Sequence, residues 1–265
     1  MSLLLAIDVG NTNIVIGAFG LDNLQDGQKS VLQRSWRIAT TRERTADEYG
    51  LMVQELLRHQ GMELSMVKEI VIGSVVPPLH PVFEACCNRY FDAAPLWIEP
   101  GIHTGLKLAI DNPSEIGADR IANCVGALEM CGAPAIAVDL GTATTFDVVN
   151  ERQEYIGGMI LPGVKIAAEA LFQRAAKLPR VEIVKPDKLI GRNTVQAMQS
   201  GLFYGCVGQI DGMLERLCQQ FSNAAVVATG GLAKTIGRES KFIQRVEPDL
   251  TLNGLRSLWC LNRGN

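Results

Sequence analysis

Two aspartates end apolar runs in this chain, and each is followed by a glycine and a group of hydroxyl or amide side chains. The first is Asp8 in "AIDVGNTNIVIG", Ala6 to Gly17. The second is Asp139 in "AVDLGTATTFDVV", beginning at Ala137. Around Asp8, backbone N–H groups and the Asn11, Thr12 and Asn13 side chains can face phosphate oxygens while the carboxylate holds a metal ion. The same residue types also suit a plain hairpin turn, because Gly, Asn and Asp are turn formers for backbone reasons alone. The repetition favours the anion cradle. Each copy runs strand, Asp, apolar residue, Gly, hydroxyl or amide residues, strand, and each opens one half of the chain. Two such hairpins facing each other across a cleft suit a nucleoside triphosphate, with donors for its phosphates and aspartates for its cations. Asp139 supports this further, since a carboxylate ending the strand "AIAV" is a poor core residue unless paired or metal-bound.

The elements that must position these hairpins follow from apolar periodicity and punctuation. Strands are expected at 3–9, 13–19, 35–39, 69–75 and 95–98, with helices at 45–60 and 78–91. A new start lies at Asn112-Pro113-Ser114, before a helix over 119–131. Two strands then flank the turn within 134–149, and a third covers 154–163. Helices are expected at 164–177, 193–221 and 232–238, with a strand at 224–229. The fold class implied is α/β, with one half over 1–113 and the other over 114–265.

Composition narrows the functional classes. The chain has 265 residues, 47% of them hydrophobic, and a net charge of −3, which gives no basic surface for nucleic acid. No apolar run approaches the roughly 20 residues of a membrane span, and Asp8 interrupts the first apolar stretch too early for a signal peptide. Seven cysteines without a CxxC pair argue against a disulfide framework and for a reducing cytoplasm. His59, His80 and His103 lack metal-site spacing. Other nucleotide-binding signatures are missing: "GGLAKT" at Gly230 lacks the P-loop spacing, and no G-x-G-x-x-G, HRD or DFG occurs.

With "DVGNT" and "DLGT" in hand, the chain resembles the acetate and sugar kinase/Hsp70/actin superfamily. "NPSEIGADR" (112–120), "GGMILPGV" (157–164) and "NTVQAMQSG" (193–201) narrow the resemblance to type III pantothenate kinase, from Leu4 to about Gly231. The resemblance implies two tandem ribonuclease H-like (actin-like ATPase) halves, each a mixed sheet flanked by helices, with the active site in the cleft between them. It implies ATP-dependent phosphorylation of pantothenate to 4′-phosphopantothenate, the first step of coenzyme A synthesis. Asp8, Val9, Gly10, Asn11, Thr12, Asn13, Ile14 and Val15 would form the first phosphate hairpin, with Asp8 near Mg²⁺. Gly141 and Thr142 would line the second, and Asp139 would hold K⁺ or NH₄⁺. Gly117, Ala118, Asp119 and Arg120 would contact pantothenate, with Asp119 as general base. Thr194 would reach the pantothenate of the other subunit of a homodimer.

Simpler readings stand beside these. Asp119 can be a helix N-cap, Arg120 a solvated or ion-paired surface residue, and Asn193 a cap with Gln196 reaching back. If Asp119 lies at a helix N-terminus, the helix favours its ionised form, so it is expected to be charged at neutral pH. One departure is Ile110, where family members often carry a tyrosine that contacts pantothenate; isoleucine can pack against a dimethyl group but cannot donate a hydrogen bond. Two alternatives remain at this level: a superfamily kinase for another small molecule, or a non-catalytic regulator that kept the fold. Finally, Gly201, Gly205, Gly208 and Gly212 recur along the helix at 193–221, and each costs about 1 kcal/mol relative to alanine. They call for a close backbone approach, either from the chain's own core or from a second copy.

Overall fold

The computed structural model describes residues 2–22 and 30–263. Its contacts divide the chain into two units. The first comprises 1–105, 112–126 and 251–265, and the second 106–111 and 127–250.

The first unit is built on β1 (Leu3–Val9), β2 (Asn13–Gly20), β3 (Leu32–Ala39), β4 (Val67–Ser74) and β5 (Leu96–Trp97), in the order β3-β2-β1-β4-β5. β1, β2 and β3 are antiparallel, whereas β4 is parallel to β1 and β5 to β4. Leu5, Ile7, Val9, Ile14 and Ile16 point into one core with Tyr49, Val53 and Leu57 of α1 (Ala46–Arg58) and Phe83 and Cys86 of α2 (His80–Cys86). The helical path of α2 starts with a 3₁₀ turn at Pro77–Leu79 and continues as a wider π turn over Cys87–Phe91, so one helical run occupies the expected 78–91.

The opposite face of this sheet carries α3 (Ala118–Cys131) and α6 (Leu250–Asn262). Small residues make their seat. A Cβ on Gly17 would lie 2.9 Å from Leu252, and one on Gly73 would lie 3.0 Å from Leu255 and 3.4 Å from Ala118. Gly254 of α6 lies against the Ala122 carbonyl of α3, leaving no room for a methyl group, and Thr251 donates to Asn123 at 2.7 Å. Gly254→Ala should therefore lose about 1–3 kcal/mol to overpacking, on the order of 2–10 °C in Tm. A thermal melt at or above wild type would contradict this packing. Through these contacts 112–126 and the last helix pack on the first sheet.

The second unit repeats the plan. β7 (Ala135–Leu140), β8 (Ala143–Val149), β9 (Glu154–Pro162), β10 (Ala225–Thr229) and β11 (Arg245–Val246) form the order β9-β8-β7-β10-β11, with β6 (Lys107–Leu108) added beside β9. The antiparallel and parallel pairings match those of the first sheet. This is the doubled ribonuclease H-like arrangement that the family resemblance implies. Ile136, Val138, Phe146 and Val148 pack on Leu202, Phe203, Cys206, Ile210 and Leu214 of α5 (Thr194–Gln220), and α4 (Val164–Arg174) covers part of the same face. Ala135, Ala137 and Val227 face the other way, onto Ala127 and Leu250.

Two differences from the sequence reading stand out. Residues 232–238 form turns that end in a short 3₁₀ segment at Gly237–Glu239, not an α-helix. Their hydrogen bonds mix three- and four-residue steps, and the Leu232 N–H donates to Leu140 O at 3.2 Å, tying the segment to the sheet. Helix α6 has no counterpart among the expected elements. No helix among the described residues is long and apolar enough to cross a membrane.

Candidate active site

In the first hairpin, Asp8 pairs with Val15 and Val9 with Ile14, so the strands stay in register up to the turn at Gly10–Thr12. The turn closes with the Gly10 N–H on Asn13 O at 3.1 Å. Val9 and Ile14 are buried in the core, so only their backbone is left for a ligand, whereas Asn11 and Thr12 are exposed. Asp8 alternates with Ile7 and Val9, so its carboxylate belongs to the face that α3 covers. Its parallel partner is Gly73, over which Ala118 lies. Asp8 and the first turn of α3 therefore share one face at the same end of β1 and β4.

That first turn holds Asp119. Gly117 O accepts the N–H groups of Arg120 (3.1 Å) and Ile121 (3.2 Å), so the helix begins after Gly117 and Asp119 lies within its first turn rather than at the cap. Asp119 Oδ1 accepts the Arg120 N–H at 2.9 Å. A Cβ on Gly117 would collide with this carboxylate, so the glycine of "GADR" makes room for it. Burial pushes the Asp119 carboxyl above its ordinary value, outweighing the Arg120 N–H and the Arg120 charge, which pull it down. The helix N-terminus favours the ionised form, but desolvation is the larger effect.

In the second hairpin, Asp139 pairs with Thr145 and Leu140 with Thr144, leaving Gly141 and Thr142 as the turn. The Gly141 N–H reaches Ala143 O at 3.1 Å. Three glycines crowd this turn. A Cβ on Gly141 would lie 3.1 Å from Asp139 Oδ1, one on Gly163 would strike the Gly141 and Thr142 carbonyls, and one on Gly230 (φ +96°) would strike Asp139 itself. The Asp139 carboxylate thus lies in a cradle that side chains would fill. Gly163 and Gly230 pack against this turn and are not among the site candidates expected from sequence. "GGLAKT" was legible only as a failed P-loop, because its neighbour Asp139 is distant in sequence.

Thr194 is the exposed first residue of α5. Asn193 caps the helix by accepting the Gln196 N–H at 2.9 Å, and Gln196 reaches back to the Arg192 N–H at 3.0 Å. Ile110 lies beside Gly157, 3.9 Å from where a Cβ would stand. Asp8 through Val15 and Gly117 through Arg120 thus lie in the first unit, and Asp139, Gly141, Thr142 and Thr194 in the second.

The profile of the family described as type III pantothenate kinase matches residues 4–216 of the chain. The chain belongs to the type III pantothenate kinase family. It is 49% identical over 266 residues to the type III pantothenate kinase of Koribacter versatilis, with 99% of this chain and 97% of that protein covered. It is also 49% identical to the one from Halalkalibacterium halodurans, over 98% of this chain and 100% of the relative. Among solved structures, a Campylobacter jejuni protein described as a Baf family transcriptional activator superposes with a TM-score of 0.60 at 19% identity, covering 98% of this chain and all of the other. An inorganic polyphosphate/ATP-glucomannokinase from Arthrobacter gives 0.50 at 15% identity, covering 99% of this chain and 100% of that one. At those identities the two structures speak for the fold, which is that of the actin-like ATPase and sugar kinase group.

Among the described residues, no cluster of three or more His, Cys, Asp or Glu could hold a metal ion. The donor set is instead one carboxylate per hairpin. That suits Mg²⁺, which is commonly bound by one or two carboxylates together with substrate phosphates and water. The Asp139 carboxylate lies close against the Gly141 and Gly230 backbone.

Proposed function

We propose that this chain transfers the γ-phosphoryl group of ATP to the 4′-hydroxyl of pantothenate, the first step of coenzyme A synthesis, with Asp119 as general base. The environment of Asp119 carries the reading. It is a half-buried carboxylate of raised proton affinity, in the first turn of a helix on the Asp8 face of the sheet. A primary alcohol is a poor nucleophile, and a carboxylate within hydrogen-bond reach takes its proton as the phosphoryl group arrives. Arg120, with its planar fork, binds the pantothenate carboxylate, and Gly117 and Ala118 contact the substrate beside it. The first hairpin, Asp8 to Val15, and the Gly141-Thr142 turn offer N–H and hydroxyl donors to ATP phosphates. Mg²⁺ held at Asp8 and K⁺ or NH₄⁺ held at Asp139 would neutralise charge on the phosphate oxygens. The decisive experiment is ATP turnover with pantothenate against a panel of sugars and carboxylates, with phosphorus NMR of the product. Pantothenate left unphosphorylated while another alcohol is consumed would overturn this assignment.

The active form proposed is a homodimer in which Thr194 reaches pantothenate bound in the other subunit. Its support is α5. The apolar side of that helix, including Met198, Leu202, Cys206 and Ile210, is buried, yet Cβ atoms on Gly201, Gly205 or Gly208 would meet nothing within 4 Å. Among the described residues, nothing packs on Gly201, Gly205 or Gly208, and the close approach we propose for them is a second copy. In a monomer, Gly205→Ala with Gly208→Ala should raise Tm, since each gains about 1 kcal/mol in helix propensity. At a packed interface, the same methyl groups hold the two backbones apart. The expected result is a wild-type dimer by light scattering that the double variant shifts toward monomer, with loss of activity. A fully active wild-type monomer at micromolar concentration would refute it.

A further inference from the structure

The segment joining β3 to α1 is pinned at both ends. Thr40 Oγ1 donates to Gly10 O at 2.6 Å, and Thr40 N–H donates to Thr12 O at 3.1 Å, so this segment clasps the first hairpin turn. Tyr49 OH donates to Thr41 O at 2.8 Å and accepts the Thr41 N–H at 3.2 Å. Thr45 then caps α1 reciprocally with Glu48. The tip between these anchors, Arg42 and Glu43, is exposed. From that tip, Arg42 Nη2 donates to Asn11 Oδ1 at 3.2 Å.

That bond has a chemical consequence for the turn. A carboxamide can present either its oxygen or its NH₂ to a ligand. With Oδ1 taken by the guanidinium, the NH₂ of Asn11 is the end left to meet an anion. The guanidinium itself carries a permanent charge and five donors, and Arg42 places it beside a turn whose own charged residue is Asp8. We propose that Arg42 is a nucleotide-positioning residue, which holds the Asn11 amide with its NH₂ toward a bound phosphate and offers its charge to the same polyphosphate. The proposal rests on the reading of the first hairpin as a phosphate site.

The test compares Arg42→Gln and Arg42→Lys with Asn11→Ala, Asp8→Asn and a matched charge control, Arg34→Gln, on an exposed part of β3. Steady-state kinetics with ATP and pantothenate varied in turn is joined to calorimetric binding of a non-hydrolysable ATP analogue. Arg42→Gln should weaken analogue binding and raise KM for ATP about tenfold or more, as expected for a lost charge-assisted contact. KM for pantothenate and Tm should stay near wild type, and Arg42→Lys should recover part of the loss because the charge remains. Arg34→Gln should bind the analogue as wild type does. Unchanged nucleotide affinity in Arg42→Gln, alongside weakened affinity in Asn11→Ala or Asp8→Asn, would overturn the proposal and leave the hairpin reading standing. Unchanged affinity in all three would remove the hairpin reading as well. Equal losses for both substrates with a lowered Tm would make Arg42 merely structural.

Discussion

Asp119→Asn should lower kcat by roughly 10²- to 10⁴-fold, the range typical of a lost general base, while pantothenate still binds. The amide keeps the shape of the carboxylate, and its oxygen can still accept the Arg120 N–H, now 2.9 Å from Oδ1. It cannot accept the hydroxyl proton. A fall in kcat with retained binding is the signature of an interaction made chiefly in the transition state. Stability provides a second readout. Because the folded protein holds the Asp119 proton more tightly than an ordinary aspartate, whose value is 3.8, stability falls as pH rises from that value through the raised folded one. The ionised carboxylate is therefore a cost at neutral pH. Asp119→Asn should melt at or above wild type near pH 7, with the difference closing below about pH 4. The acid limb of the wild-type pH–rate profile should likewise lie above the ordinary aspartate range and vanish in the variant. Near wild-type turnover in Asp119→Asn would reduce the residue to a helix-start role and require another base.

Replacing K⁺ by Na⁺ at constant ionic strength should abolish most turnover. The Asp139 carboxylate lies against Gly141 and Gly230, where no further side chain fits, and the proposed cation would be held by this carboxylate. Asp139→Asn removes the charge that holds the cation and should flatten the dependence on K⁺ concentration. A readout independent of turnover is thermal stabilisation by K⁺, since an ion bound only by the folded state raises Tm by mass action. K⁺ should raise the wild-type Tm more than Na⁺ does, and Asp139→Asn should respond equally to both. Equal rates and equal melting shifts in the two salts for wild type would eliminate the monovalent site at Asp139.

The two hairpins were legible before any coordinates because their signals are local. β-branched apolar runs specify strands, and an aspartate and glycine at the end of each run specify where the turn comes. Their repetition marks the start of each half, the family resemblance implies two like sheets, and the structure has these in the same strand order. Asn193 as a cap and the long helix after it are equally local. What the residues could not convey alone depends on partners remote in sequence. α6 is a helix whose seat is made by Gly17, Gly73 and Ala122, so its place in the first unit follows from surfaces built some hundred residues or more earlier. Residues 232–238 have a helix-like composition, but they form turns with mixed three- and four-residue hydrogen bonds, and their first N–H, that of Leu232, goes to Leu140 O on the sheet. Arg42 reads as an ordinary surface charge until Thr40 fastens its loop to Gly10 and Thr12. Most telling is Asp119. Sequence placed it at a helix start, where backbone N–H groups lower a carboxyl pKa. Only tertiary packing decided how much water remained around it, and the loss of that water moves the pKa the other way.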